Sequence, residues 1–260
     1  MNYTANIEKL KHSFLPVDFN LSSWETISPY FIRLSERKIE NKADLGLAFD
    51  GDADRCFIVD EKGNAINPSD LTALIAQREL KKHPGSTMIY NLISSRAVLE
   101  VIEENGGVGL RSRVGHSYIK KMMADSKAIF GGEHSGHFYF DEFWRADSGA
   151  LAALHAISAL GETELTMSEL LKPFQRYVLS GEVNSTVIDA AAASALVEEK
   201  YAAQDGVSID HLDGLTVNGD TWWFNLRPSN TEPLLRLNVE AKDRVQMEKL
   251  RDEVLSLIRS

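Results

Sequence analysis

Residues 87–117 read TMIYNLISSRAVLEVIEENGGVGLRSRVGHS, and their rhythm decides the fold. Thr87 to Leu92 is an apolar run of strand length. Ser94 or Ser95 caps a helix that carries Val98, Leu99, Val101 and Ile102. Asn105-Gly106-Gly107 ends that helix, and Val108 to Val114 is a second strand. Gly115-His116-Ser117 then opens a helix over Tyr118–Ala124. Strands alternating with helices predict a largely parallel sheet covered on both faces. Further on, Ala128 to Phe130 is a strand that Gly131-Gly132 is expected to break. Phe138–Phe140 is another short strand, and Ala150–Leu160 an Ala/Leu-rich helix buried on most sides.

Upstream, Phe14–Phe19 has strand character, and the apolar spacing of Ser23–Lys42 is helical. Ala43–Phe49 is an apolar strand that runs into Asp50-Gly51-Asp52-Ala53-Asp54-Arg55. Cys56–Val59 is the next strand, and Ser69 is placed to cap a helix over Asp70–Lys82. Downstream the rhythm changes after a linker at 161–173. Strands are expected at 177–188, 207–209, 215–217, 222–226 and 234–239. Asp189 caps an alanine-rich helix to Tyr201, and a last helix spans Arg244–Ile258. This second part reads as a small α+β domain with an antiparallel sheet.

The chain has 260 residues and a formal net charge of −10, with 43% hydrophobic and 25% charged residues. That composition is of a globular protein able to build its own core. The acidic balance and the lack of a basic tract argue against nucleic acid and against an anionic membrane surface as partners. No apolar run approaches the roughly 18 residues of a membrane span, and no secretory signal pattern opens the sequence, so cytoplasm is the expected location. The single cysteine, Cys56, excludes an internal disulfide. It reads as a buried packing residue, with a reactive thiol as the alternative.

Four stretches carry chemistry. Asp50, Asp52 and Asp54 alternate, so an extended backbone would send all three carboxylates one way. Like charges that close repel unless a cation lies between them, and oxygen-only ligands suit Mg²⁺ or Ca²⁺. An EF-hand would have glycine where Arg55 stands. A phosphatase would use Asp50 as nucleophile, and a solvated acidic turn is the plain reading. Gly131-Gly132-Glu133-His134-Ser135-Gly136-His137 offers glycines for close backbone approach and several donors and acceptors, which suits sugar hydroxyls. An ordinary glycine turn, or a metal pair of His134 and His137, are its alternatives. Arg227-Pro228-Ser229-Asn230-Thr231-Glu232-Pro233 joins a guanidinium fork to a proline-flanked loop, an anion nest or a capped surface loop. Arg111 to Ser117 brings a strand end, a glycine and a helix N-terminus together, which also favours an anion.

The order DGDADR, VGHS, GGEHSGH, RPSNTEP resembles the α-D-phosphohexomutases, nearest the bacterial phosphomannomutase/phosphoglucomutase branch, over about residues 43–260. The resemblance implies an α/β chain in three parts. Residues 1–67 would be a remnant of the family's second α/β domain with the metal loop. Residues 68–175 would be its complete third α/β domain, with a mixed sheet and the sugar loop. Residues 176–260 would be its C-terminal α+β domain, with an antiparallel sheet and the phosphate loop. It implies that Asp50, Asp52 and Asp54 bind Mg²⁺, and that Glu133, Ser135 and His137 contact the sugar. Arg227, Ser229, Asn230 and Thr231 would hold the phosphate that is not transferred. His116 and Arg55 would lie at the reacting end. The implied activity is an isomerase's intramolecular phosphotransfer between hexose 1- and 6-phosphates, through a hexose 1,6-bisphosphate.

Two departures qualify that implication. The family's nucleophilic serine stands in a loop like T-A-S-H-N-P, and no serine here has that setting. The phosphoserine is therefore expected outside these residues, whether the gene is truncated, is split so that a separate N-terminal piece bears it, or continues upstream, with this chain inactive alone. The chain is expected to begin inside the second domain. The alternatives are a non-catalytic sugar-phosphate and Mg²⁺ binder, or a Mg²⁺-dependent phosphatase using Asp50. In addition, Tyr90-Asn91-Leu92-Ile93-Ser94-Ser95-Arg96 has isoleucine at 93 where the family often has lysine. His116 or Arg96 is left to take its place.

Overall fold

A computed structural model describes Glu36, residues 39–229 and residues 234–259. The expected strand at 14–19 and most of the expected helix at 23–42 lie outside the described residues. The chain divides into two compact units, the first closing at Gln175 and the second opening at Arg176.

In the first unit, β1 (Gly46–Phe49) and β2 (Cys56–Val59) form an antiparallel pair. Phe49 pairs with Cys56, so the acidic stretch 50–55 is the loop at the hairpin's tip. β2 is wholly buried, and Cys56 and Ile58 join the unit's main core. The Cys56 thiol is a packing group, and burial raises its pKa.

A five-stranded sheet runs β4-β3-β5-β6-β7, with β3 Thr87–Asn91, β4 Val108–Ser112, β5 Phe130–Gly132, β6 Phe138–Phe140 and β7 Ala146–Asp147. The pairs β3–β4 and β3–β5 are parallel, whereas β5–β6 and β6–β7 are antiparallel. The sheet is thus mixed, not largely parallel, because the chain returns from β5 by a short loop, and only antiparallel neighbours can be joined that way.

Side chains alternate across it. Met88, Tyr90, Phe130, Phe138 and Phe140 enter the main core with helices α1 (Pro68–Lys82), α2 (Arg96–Glu104) and α4 (Gly149–Gly161), while Ile89 and Tyr139 pack on Ile119 and Met123 of α3 (His116–Ser126). A short α5 (Met167–Leu171) adds Met167 and Leu171 to the main core.

Two local expectations change, and one alternative is decided. The cap of α1 is Asn67, whose side chain accepts from Ser69 N–H at 2.9 Å. Pro68 takes the first helical position, where its missing N–H costs nothing. Ser95, not Ser94, caps α2. Gly131 and Gly132 do not break a strand but form one. A Cβ on Gly132 would lie 2.4 Å from Thr72 of α1, and one on Gly131 would lie 3.1 Å from Ile119 of α3. The missing side chains let helices on both faces approach the sheet.

The second unit is an antiparallel sheet in the order β8-β12-β11-β10-β9, comprising Val178–Thr186, Leu234–Ala241, Trp222–Pro228, Leu215–Asn218 and Ser208–Asp210. Helices α6 (Ala190–Ala202) and α7 (Arg244–Ile258) pack Val197, Tyr201, Leu250 and Val254 against Val217, Phe224, Leu226, Leu237 and Val239. Asp189 and Asp243 cap these helices through their side chains.

Arg78 on α1 grips Glu162 at the end of α4 with two hydrogen bonds of 2.7 and 2.8 Å, and also donates to Ser158. The Arg78 fork, with Ser158, lowers the Glu162 pKa from 4.5 to about 2. The folded state therefore gains from this pair above pH 4.5, and loses the gain as pH falls toward 2. Because Glu162 is half exposed, Glu162→Gln should cost only about 0.5–1 kcal/mol at neutral pH. Urea titrations should show that difference narrowing as pH drops through this window.

Candidate functional site

The acidic loop is a turn, not an extended segment. Ala53 N–H donates to the Asp50 carbonyl at 3.1 Å, and Ala53 has φ of 60°. The carboxylates of Asp50, Asp52 and Asp54 nonetheless converge, each offering an oxygen within 4.8 Å of the others. Their convergence comes from the turn's curvature, not from the pleat of a strand.

Arg55 sits inside this acidic group. Its backbone N–H donates to Asp50 Oδ1 at 3.1 Å and its Nε to Asp50 Oδ2 at 2.5 Å. Burial would raise the Asp50 pKa, but these Arg55 contacts more than offset it and hold it below the usual value. Asp54 gains less from Arg55, whose Nε stands 3.9 Å from its Oδ1. Its Oδ1 is buried without a hydrogen-bond donor among the described residues, and burial with the adjacent Asp50 charge raises its pKa to about 6. A buried carboxylate oxygen without a hydrogen-bond donor, in an all-oxygen set, fits a hard divalent cation.

The loop docks on residues 133–137. Cys56 N–H donates to the Gly136 carbonyl at 3.0 Å, and Arg55 forms a bridge with His137. The second loop is itself a tight turn, with Gly136 N–H on the Glu133 carbonyl and Glu133 N–H on the His137 carbonyl. Gly136 has φ of 88°, and a Cβ there would lie 2.9 Å from the Phe57 ring, so glycine is required twice over.

Glu133 is buried at 2% exposure, and its two oxygens are both engaged. One accepts from Gly115 N–H at 3.0 Å, the other from the Tyr139 hydroxyl at 2.6 Å. Tyr139 loses acidity through burial and the Glu133 charge.

His137 bonds Ser135 Oγ through Nδ1 at 2.9 Å, while its Nε2 is 3.6 Å from Asp54 Oδ1. Burial lowers its pKa, against the pull of Glu133. The ring is accordingly biased toward its neutral form. His134 turns to Ser69 Oγ at 3.5 Å, so the two histidines do not pair. Burial brings the His134 pKa down to about 4. His116 is exposed in the first turn of α3, and Gly115 rather than His116 links that turn to Glu133.

Sequence reading missed two residues here. Asp147, at the end of β7, offers an oxygen within 4.8 Å of ligand atoms on Asp54 and His137. Lys120 of α3 pairs with Asp147 at 2.7 Å and lies over the Tyr139 ring. An ammonium thus reaches this cluster from α3, although residue 93 is a buried isoleucine. Lys120 was findable from its place one helical turn after His116. Asp147 follows no motif.

In the second unit, register sets Arg227 directly opposite Arg236. Arg236, also missed, donates to Ser229 Oγ at 3.2 Å, and both arginines approach Glu182. Asn230 and Thr231 lie outside the described residues. The alternation Leu235, Leu237, Val239 inward would have placed Arg236 on the same face as Arg227.

Two family models match, described as phosphoglucomutase/phosphomannomutase, alpha/beta/alpha domain III, over residues 67–177, and its C-terminal domain, over 182–257. A phosphomannomutase of Methanocaldococcus jannaschii is 43% identical over 219 residues, 84% of this chain and 48% of the relative. A phosphoglucomutase/phosphomannomutase family protein from Burkholderia thailandensis superposes with a TM-score of 0.78 at 26% identity, over 89% of this chain and 50% of that one. An Aspergillus fumigatus N-acetylphosphoglucosamine mutase, solved with GlcNAc-6P and magnesium, shares the fold at a TM-score of 0.58 and 14% identity, over 82% and 48%. The chain spans about half the length of these relatives.

The acidic loop also depends on Gly149, the first residue of α4. A Cβ there would lie 2.4 Å from the Arg55 carbonyl oxygen and 2.9 Å from that of Ala53. Gly149→Ala should destabilise the first unit by about 1–3 kcal/mol through overpacking. Titration with Mg²⁺, followed calorimetrically, should show weakened binding in the same variant. Unchanged stability and unchanged Mg²⁺ binding would refute this role of Gly149.

Proposed function

Since the chain belongs to the phosphoglucomutase/phosphomannomutase family of α-D-phosphohexomutases, we propose that it supplies the metal-, sugar- and phosphate-binding elements of a mutase for hexose 1- and 6-phosphates, working through a hexose 1,6-bisphosphate. The carrying observation is the docking of the 50–55 loop on residues 133–137, which groups Asp54, His137 and Asp147 beside the three-aspartate set.

On this reading residues 1–67 belong to the family's second domain, 68–175 are its third, and 176–260 its C-terminal domain. Asp50, Asp52 and Asp54 would hold Mg²⁺, which when bound supplies positive charge to a phosphoryl group in transfer. Arg55 cancels one of the three carboxylate charges and keeps Asp50 ionised. Both Asp50 oxygens accept from Arg55, which favours a charge-setting role over attack on phosphorus. Glu133, fixed by Gly115 and Tyr139, and Ser135 with His137 would orient sugar hydroxyls. Neutral His137, beside Asp54, is suited to accept a proton. His116, exposed at the start of α3, would meet the reacting phosphate. Arg227, Ser229, Asn230 and Thr231 would hold the other phosphate, with Arg236 beside Arg227.

The phosphoryl carrier is assigned to residues outside these 260, since no serine among them has a T-A-S-H-N-P setting. Two outcomes follow. Glucose 6-phosphate should bind the chain, and Arg227→Ala should weaken that binding on the order of tenfold or more, as expected for loss of a charge-assisted phosphate contact. Calorimetric titration reads it, and equal affinities would remove Arg227 from the site. With mannose 1-phosphate, glucose 1,6-bisphosphate and Mg²⁺, the chain alone should form negligible mannose 6-phosphate. Robust turnover would overturn the placing of the carrier outside these 260 residues.

A further inference from the structure

The second unit's sheet is two-faced. One face carries leucines and valines under α6 and α7. The other carries Glu182 and Asn184 of β8, Arg236, Asn238 and Glu240 of β12, and Trp223, Asn225 and Arg227 of β11. On it Arg227 and Arg236 stand directly across from each other, an arrangement that costs stability unless an anion is shared. Glu182 is that anion. Its Oε1 lies 3.4 Å from Arg236 and its Oε2 lies 4.0 Å from Arg227.

The sharing is loose. Charge-assisted pairs close to about 2.7–2.9 Å, and bidentate forks use both nitrogens. Here one carboxylate is stretched between two guanidinium groups. The Nε of Arg227 and the Nε of Arg236 are both buried without a hydrogen-bond partner among the described residues. The Arg227 side chain is only 13% exposed, so its unmet donor is poorly compensated by water. Two cations and one anion leave a net positive charge facing an incompletely satisfied set of donors. Glu182 is 26% exposed, on the strand at the edge of the sheet, and can turn outward.

We propose that Glu182 is an internal counter-ion that competes with phosphate for the Arg227–Arg236 pair. It covers the two arginines when phosphate leaves and is displaced when phosphate returns. The inference rests on the reading of this strand end as a phosphate site. It gives that site a property useful to a reaction whose doubly phosphorylated intermediate must let go and turn round. Release never strands two opposed guanidinium groups, so retention stays weak enough for exchange.

The sign of one measurement decides it. A carboxylate that merely positions the arginines would, on removal, weaken phosphate binding. A competitor, on removal, strengthens it. Inorganic phosphate titrated into the 260-residue chain should bind Glu182→Gln about two- to fivefold more tightly than wild type, the scale of one loose, partly exposed ion pair lost to competition. Glu182→Asp keeps the charge but shortens its reach, and should fall between the two, which also serves if the Gln variant folds poorly. Thermal unfolding without phosphate should show Glu182→Gln less stable than wild type, and added phosphate should stabilise it by a larger shift. Unchanged or weaker phosphate binding in both variants, with Arg227→Ala still weakening binding, overturns the competitor and leaves the phosphate site standing. Wild-type affinity in Arg227→Ala overturns both.

Discussion

The Cys56 N–H to Gly136 carbonyl hydrogen bond is the contact on which the first unit's chemistry depends. It fastens the base of the acidic hairpin loop to the loop that follows β5, and the Arg55–His137 bridge lies beside it. Without this join, three carboxylates at a hairpin tip would repel and spread. With it, Asp54 is held within reach of His137 and Asp147, and its buried oxygen has nowhere to relax. Glycines make the approach possible. Gly136 admits the Phe57 ring, and Gly149 lets α4 begin against the Arg55 carbonyl.

Glu133 gives the cluster its rigidity. One oxygen anchors the N-terminal turn of α3 through Gly115, and the other anchors Tyr139 on β6. A helix start, a tight turn and a strand therefore share one buried carboxylate. Such a fully satisfied polar network fixes side-chain geometry at the cost of burying charge. The Lys120–Asp147 pair extends it from the same helix. The result is a site whose donors and acceptors are fixed by secondary structure rather than by loops alone.

The second unit solves a different problem. Its helices cover only one face of the sheet, so the other can carry polar residues at strand centres. Trp223 Nε1 donates to Glu240 at 2.7 Å, and Asn225 donates to Thr216 and to the Asp213 carbonyl. Satisfaction stops short elsewhere on that face, at Asn184 Oδ1, Asn225 Oδ1 and Asn238 Nδ2 as well as at the Nε atoms of Arg227 and Arg236, all buried without a hydrogen-bond partner among the described residues. The Arg227–Arg236–Glu182 group differs in being charged, with two cations sharing one carboxylate.

Much was legible in the sequence alone. Alternating strand and helix signals from Thr87 to Ala124 gave the α/β class, and period-two and helical patterns after 176 gave the antiparallel α+β part. These follow from local rules, since side-chain periodicity depends on backbone geometry alone. Four motifs in order gave the family. What local rules could not reach were contacts between distant segments. Gly131 and Gly132 read as a breaker because their partners, Ile119 and Thr72, lie in other elements. The alternation of Asp50, Asp52 and Asp54 pointed to convergence, but by a strand's pleat, whereas a turn closed by Ala53 brings it about. Asp147 belongs to no motif and became visible only when the fold set it near His137, whereas helical spacing from His116 and strand alternation already pointed to Lys120 and Arg236. The sequence by itself determined which residue types can bind metal, sugar and phosphate. Only the tertiary structure decided which carboxylate is left without a donor and which arginines must share one counter-ion, because both depend on which groups exclude water from which others.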